Sequence, residues 1–170
     1  MTEQVVIDSL EFARNKQVLH GKIAVASLPR LQDVVFSSDE MLEYELSGRM
    51  DQHGTLSLHC EVKGALQLSC QRCLGAFAYQ VGVKSDLILV KDEVALAEID
   101  EDEREDVDVI LADPHLDVLS LIEEEILLDL PMAPVHPIAE CNVKDAGQES
   151  SRQGKAFEAL AVLKAQNPKK

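Results

Sequence analysis

From Leu56 to Cys70 every even-numbered position is apolar or glycine: Leu56, Leu58, Cys60, Val62, Gly64, Leu66, Leu68 and Cys70. Side chains alternate across a strand, so a constant phase of this length means one extended segment with a single inward face. The phase survives Lys63-Gly64. That makes one long strand bent at Gly64, because a glycine inside a strand commonly marks a bend or bulge. Phe77, Tyr79, Val81 and Val83 then alternate in odd phase through Leu89, and Leu74-Gly75-Ala76 supplies a turn glycine between the two runs. Cys70-Gln71-Arg72-Cys73 is therefore expected at the tip of an antiparallel hairpin.

The same logic extends the sheet upstream. Leu42, Tyr44, Leu46, Gly48 and Met50 share a face, and Asp51-Gln52-His53-Gly54 reads as the turn into the long strand. Val107, Val109 and Leu111 add a short last strand, ended by Asp113-Pro114. Long bent strands of this kind curl into a strongly bent antiparallel sheet or a partial barrel.

One main helix is expected to cover the sheet. Asp117 can cap it, and Val118, Leu119, Ile122, Ile126 and Leu130 form its apolar stripe, with Glu123, Glu124 and Asp129 mostly opposite. Leu130-Pro131 stops it. Leu68, Val81, Ile122 and Ile126 should meet in one core. Asp8 and Glu11 have capping-box spacing and open a short N-terminal helix that runs to about Leu19 and stops at Gly21. Ile23 and Val25 suggest a strand, and Leu28-Pro29-Arg30-Leu31 a break. Pro131 to Pro137 should run extended along the sheet.

The fold class expected is α+β. Residues 1–145 form a single domain, with an acidic flexible loop at about 92–106 centred on the charge block Glu98 to Asp106. Residues 146–170 read as a flexible linker and a C-terminal helical tail, Ala156 to Lys164.

Composition narrows the function. The 170 residues carry a formal charge of −15 and a pI near 4.6, and aromatics are only 4% with no Trp, so Leu, Val, Ile and Ala must build the core. A field of that sign repels phosphate backbones at a distance and suits a basic protein partner. No stretch approaches a membrane span, and Met1-Thr2-Glu3-Gln4 lacks the positive start of a signal peptide, so a cytoplasmic location is expected.

Three readings are open for the sulfur chemistry. Cys70 and Cys73 are spaced to reach one metal, and His136 and Cys141 are the plausible residues to complete a four-ligand zinc site, though their spacing is not a knuckle. The pair could instead be a thiol–disulfide couple, but such pairs usually begin a helix, and here a strand follows. In the third reading Cys70 is a core residue, Cys73 packs in the turn, and no cofactor is bound. Cys60 continues the buried row in every case. The acidic block lacks the glycine and ligand spacing of a calcium loop. No Ser–His–Asp order, Cys–His order or Gly-rich phosphate loop stands out.

Two separated segments resemble the YceD family of large ribosomal RNA subunit accumulation proteins. One is Leu68-Ser69-Cys70-Gln71-Arg72-Cys73-Leu74 entering an apolar strand. The other is Ser120 to Pro131, followed by Pro134-Val135-His136 and Cys141. The likeness extends over about residues 5 to 165 and implies a non-enzymatic factor for accumulation or processing of 23S ribosomal RNA in large-subunit biogenesis. The partners it implies are ribosome assembly or rRNA-processing proteins, or a basic ribosomal protein. Direct rRNA contact would fall to the few basic or polar groups placed for it: Arg72 and Gln71 at the tip, with Lys155 and Lys164 near the end of the chain.

Overall fold

The computed structural model describes residues 5–97, 108–137 and 141. The chain enters through a two-residue strand β1 (Val6–Ile7) and a single-turn helix α1 (Ser9–Arg14), capped by Asp8, whose carboxyl accepts the amide N–H of Glu11 at 2.9 Å. β2 (Val18–Ala24) follows, then two 3₁₀ turns at Val25–Ser27 and Leu31–Asp33, then β3 (Met41–Met50), β4 (Leu56–Ser69) and β5 (Ala76–Val90). A short helix α2 (Glu93–Ala97), strands β6 (Asp108–Leu111) and β7 (Leu116–Asp117), and helix α3 (Val118–Asp129) complete the described elements.

β2 to β6 form one five-stranded sheet in chain order, antiparallel from β2 to β5. The last pair, β5 with β6, is parallel. The sheet is thus mixed, and it remains open instead of closing into a barrel. A parallel neighbour requires a crossover, and residues 91–107 supply it. β1 and β7 make a separate two-stranded sheet, reinforced where Ser9 N–H donates to the Asp113 carbonyl and Val118 N–H to the Val5 carbonyl.

The even phase of β4 is what the packing uses. Leu58, Cys60, Val62, Leu66 and Leu68 are fully buried while His59, Glu61 and Lys63 face outward. α3 lies on this inward face, and its Ile122 and Ile126 join Leu68 and Val81 in the same core. Gly64 has φ +154°, and a Cβ there would sit 2.5 Å from Leu42 Cδ2. Beyond that point β3 no longer pairs with β4, and its edge is met by the Val35–Leu68 bridge and by Phe36 N–H donating to the Gln67 carbonyl. Gly48 answers a different need: α1 rests directly on it, and a Cβ would come within 2.6 Å of Ala13 Cα.

Several expectations are corrected. The first helix ends at Arg14, not near Leu19, because Lys16 turns to φ +50° and Val18 pairs with Ser47. Gly21 lies inside β2 opposite Tyr44. Val25 begins a 3₁₀ turn instead of continuing the strand. Glu123 and Glu125, the former expected on the solvent side of α3, are 3% and 6% exposed. Glu123 Oε1 accepts the amide N–H groups of Arg30 and Leu31, at 2.6 and 3.1 Å, and so caps the second 3₁₀ turn from a distance of 92 residues in sequence. The charge block from Glu98 to Asp106 and the expected linker and tail at 146–170 lie outside the described residues.

Candidate metal centre at the hairpin tip

β4 ends at Ser69 and β5 begins at Ala76, so six residues make the connection. Cys70 N–H donates to the Gly75 carbonyl at 2.9 Å, and Leu74 N–H returns to the Cys70 carbonyl at 2.8 Å. The left-handed residue is Leu74, at φ +59°, and not the adjacent glycine. This winding folds backbone around one sulfur: Arg72 N–H points at Cys70 Sγ from 3.4 Å.

The segment after α3 comes to the same place. Pro131 stops the helix, and the extended chain is held by Gln71 N–H donating to the Pro134 carbonyl at 2.9 Å. His136 is thereby set against the hairpin, 7% exposed, with its ring stacked on Phe77 at a centroid distance of 5.6 Å and 30° between planes. Cys141 N–H donates to the Pro137 carbonyl at 3.1 Å, which brings the last cysteine back over the tip.

Four potential ligands therefore converge. Cys70 Sγ lies 3.9 Å from Cys141 Sγ, and Cys73 Sγ lies 3.7 Å from His136 Nε2. The ligand atoms of Cys70, Cys73, His136 and Cys141 all fall within 4.8 Å of one another. All four cysteines of the chain are free. A separation of 3.9 Å is nearly twice the S–S bond length of about 2.05 Å.

The sulfurs differ in acidity for physical reasons. Burial pushes the Cys70 thiol up, but the backbone N–H groups of Cys73, His136 and Arg72, together with the Cys73 side chain, outweigh it and bring it down to about 6. Cys141 is held above its ordinary value, by burial first and then by its hydrogen bonds and proximity to Cys73 and Cys70. Cys60 is pushed up to about 12 by burial and the nearby Glu125 carboxyl, so it is an inert core thiol.

Gln71 and Arg72 are both exposed at the tip, while Lys155 and Lys164 lie outside the described residues. Elsewhere, basic groups on the outer face of the sheet are engaged with carboxylates: Lys22 with Glu43 at 2.8 Å, Lys63 and Lys84 with Glu61 at 2.8 and 3.2 Å, and Arg49 with Asp86 at 3.1 Å. Phe77 and the Pro134 carbonyl, which orient His136 and Gln71, were not identifiable as site residues beforehand. Phe77 reads as one more strand position, and a backbone carbonyl leaves no trace in sequence. Among the described residues, no helix is long and apolar enough to cross a membrane.

The family model described as Large ribosomal RNA subunit accumulation protein YceD matches residues 58–164, a span that starts within β4 and includes all four converging residues. The segments before β4 lie outside that match. No solved structure matches the chain.

Proposed function

The chain belongs to the YceD family of large ribosomal RNA subunit accumulation proteins, and from that premise we propose that it is a non-enzymatic cytoplasmic factor acting through protein partners. Its role is to support accumulation and processing of 23S ribosomal RNA during large-subunit biogenesis. The partner class is a basic ribosomal protein, an RNA-processing enzyme or another assembly factor.

The family match carries the ribosomal part of this reading, and charge carries the choice of partner. A chain with net charge −15 meets an RNA phosphate backbone with repulsion and a basic protein with attraction. The ion pairs on the outer face further reduce the basic groups left to neutralise phosphate. A pull-down from growing cells, with protein and RNA identified before and after RNase, tests it. Retention of a basic ribosomal or processing protein after RNase is expected. Tight binding of purified chain to 23S precursor fragments, with no other protein present, would overturn it.

A second reading has direct RNA contact through Arg72 and Gln71, helped by Lys155 and Lys164; the exposure of Arg72 and Gln71 at the tip favours it. Each phosphate neutralised steepens the dependence of log affinity on log salt by roughly 0.7 for a single strand. Arg72→Glu should abolish such binding and spare a protein-mediated function. A thiol–disulfide role for Cys70 and Cys73 has less support, since β5 and not a helix follows the pair. Insulin reduction lost on Cys70→Ser would revive it.

A further inference from the structure

We propose that Cys70, Cys73, His136 and Cys141 form a closed, four-coordinate zinc site that clips the segment following α3 onto the tip of the β4–β5 hairpin. This goes beyond the ribosomal reading and does not depend on it.

The geometry is the first argument. With zinc–sulfur bonds of about 2.3 Å and zinc–nitrogen bonds of about 2.0–2.1 Å, a tetrahedron has edges of roughly 3.8 Å between sulfurs and roughly 3.5 Å between sulfur and nitrogen. The observed edges are 3.9 Å for Cys70 to Cys141 and 3.7 Å for Cys73 to His136. The four ligand atoms all lie within 4.8 Å of one another, so one ion at their centre is within reach of small side-chain rotations. A disulfide between any two would strand the other pair.

The surroundings are the second. Cys70 is fully buried and His136 nearly so, as in structural sites whose metal has no open position. The Arg72 amide is aimed at the Cys70 sulfur, and N–H donors of this kind stabilise a metal-bound thiolate. Phe77 backs the imidazole ring and fixes its plane. Three sulfurs and one nitrogen select zinc among common divalent ions, and one histidine with three cysteines is an established structural zinc set. Binding releases the thiol protons to solvent and leaves a centre of net charge −1, three thiolates against one dication.

The test uses full-length protein expressed without a metal-binding tag and analysed for bound metals by mass spectrometry. One zinc per chain is expected. Metal-stripped protein given cobalt(II) should show the visible absorption of a tetrahedral site with thiolate charge transfer. Cys73→Ser and Cys141→Ser should each lose at least tenfold in zinc affinity, while Cys60→Ala keeps full stoichiometry. Wild-type protein with far less than one zinc and no tetrahedral cobalt spectrum would overturn the proposal without recourse to any variant. So would a stoichiometric metal other than zinc, or a Cys73→Ser/Cys141→Ser double variant that still carries one zinc.

Discussion

Cys60 and Cys70 sit ten residues apart in the same inward phase of one hairpin arm, and both are fully buried. Their chemistry is opposite. At Cys60 burial and the neighbouring Glu125 push the thiol up to about 12, whereas at Cys70 backbone amides overcome burial and draw it down to about 6. The difference lies in the backbone. In mid-strand every N–H is committed to the ladder with β3 or β5, while at the strand's end the chain curls and its amides turn inward. On α3 two buried glutamates differ in their hydrogen-bond donors. Glu123 is buried with two amide donors, and Glu125 is buried beside other acids. Burial alone therefore does not predict the behaviour of a polar group; the donors that reach it do.

The contrast can be broken or sharpened by mutation, with the apolar core setting the scale. Ile122 is fully buried against the sheet, and Ile122→Ala should cost about 2–5 kcal/mol in denaturant unfolding. A variant as stable as wild type would mean that α3 is not the core's lid. Glu123→Ala leaves the Arg30 and Leu31 amides without their acceptor, and a loss of about 1–3 kcal/mol is expected. An unchanged midpoint would remove the amide-donor half of the contrast.

Glu125 should respond in the other direction. Burial raises its carboxyl, Ser85 partly offsets this, and Asp108 and Glu124 add to the rise. A carboxyl raised on folding gives its full stability below the unfolded value and loses it as pH climbs through the folded one. Glu125→Gln should therefore melt above wild type at neutral pH, with the advantage vanishing near pH 4. A pH-independent difference would show that packing, not charge, governs the site. The smallest effect belongs to Arg72→Glu at the exposed tip, within about 0.5 kcal/mol of wild type. A larger loss would mean that the tip bears on stability beyond its sulfurs.

Much of the sheet was legible because its information is periodic. The phases of β3, β4 and β5, the turn at Asp51, the Asp117 cap and the core set Leu68, Val81, Ile122 and Ile126 follow from alternation and capping chemistry alone. The convergence of His136 and Cys141 on Cys70 and Cys73 could be named as one reading among three. It was not decidable, because nothing in their spacing states that Pro134 will hydrogen-bond Gln71. The rest depended on contacts distant in sequence. Val109 alternates equally well in a parallel or an antiparallel strand, and Glu123 looks like any solvent-facing helical glutamate until Arg30 and Leu31 arrive above it. Leu74 shows the same limit locally, since Gly75 was the residue chemically suited to its conformation.

The pairing of β1 with β7 means that the first described residues are tied to the start of α3: Val5 accepts from Val118, and Ser9 and Asp113 bond each other twice. Cutting the protein back to its family-matched span would remove β1, α1, β2 and β3 together. What remained would carry a bare ladder edge along β4 and an uncovered Leu58, a surface that invites pairing with another copy. The front third thus covers an edge and a face of the hairpin that bears the sulfurs, and truncates made without it should be recovered as aggregates.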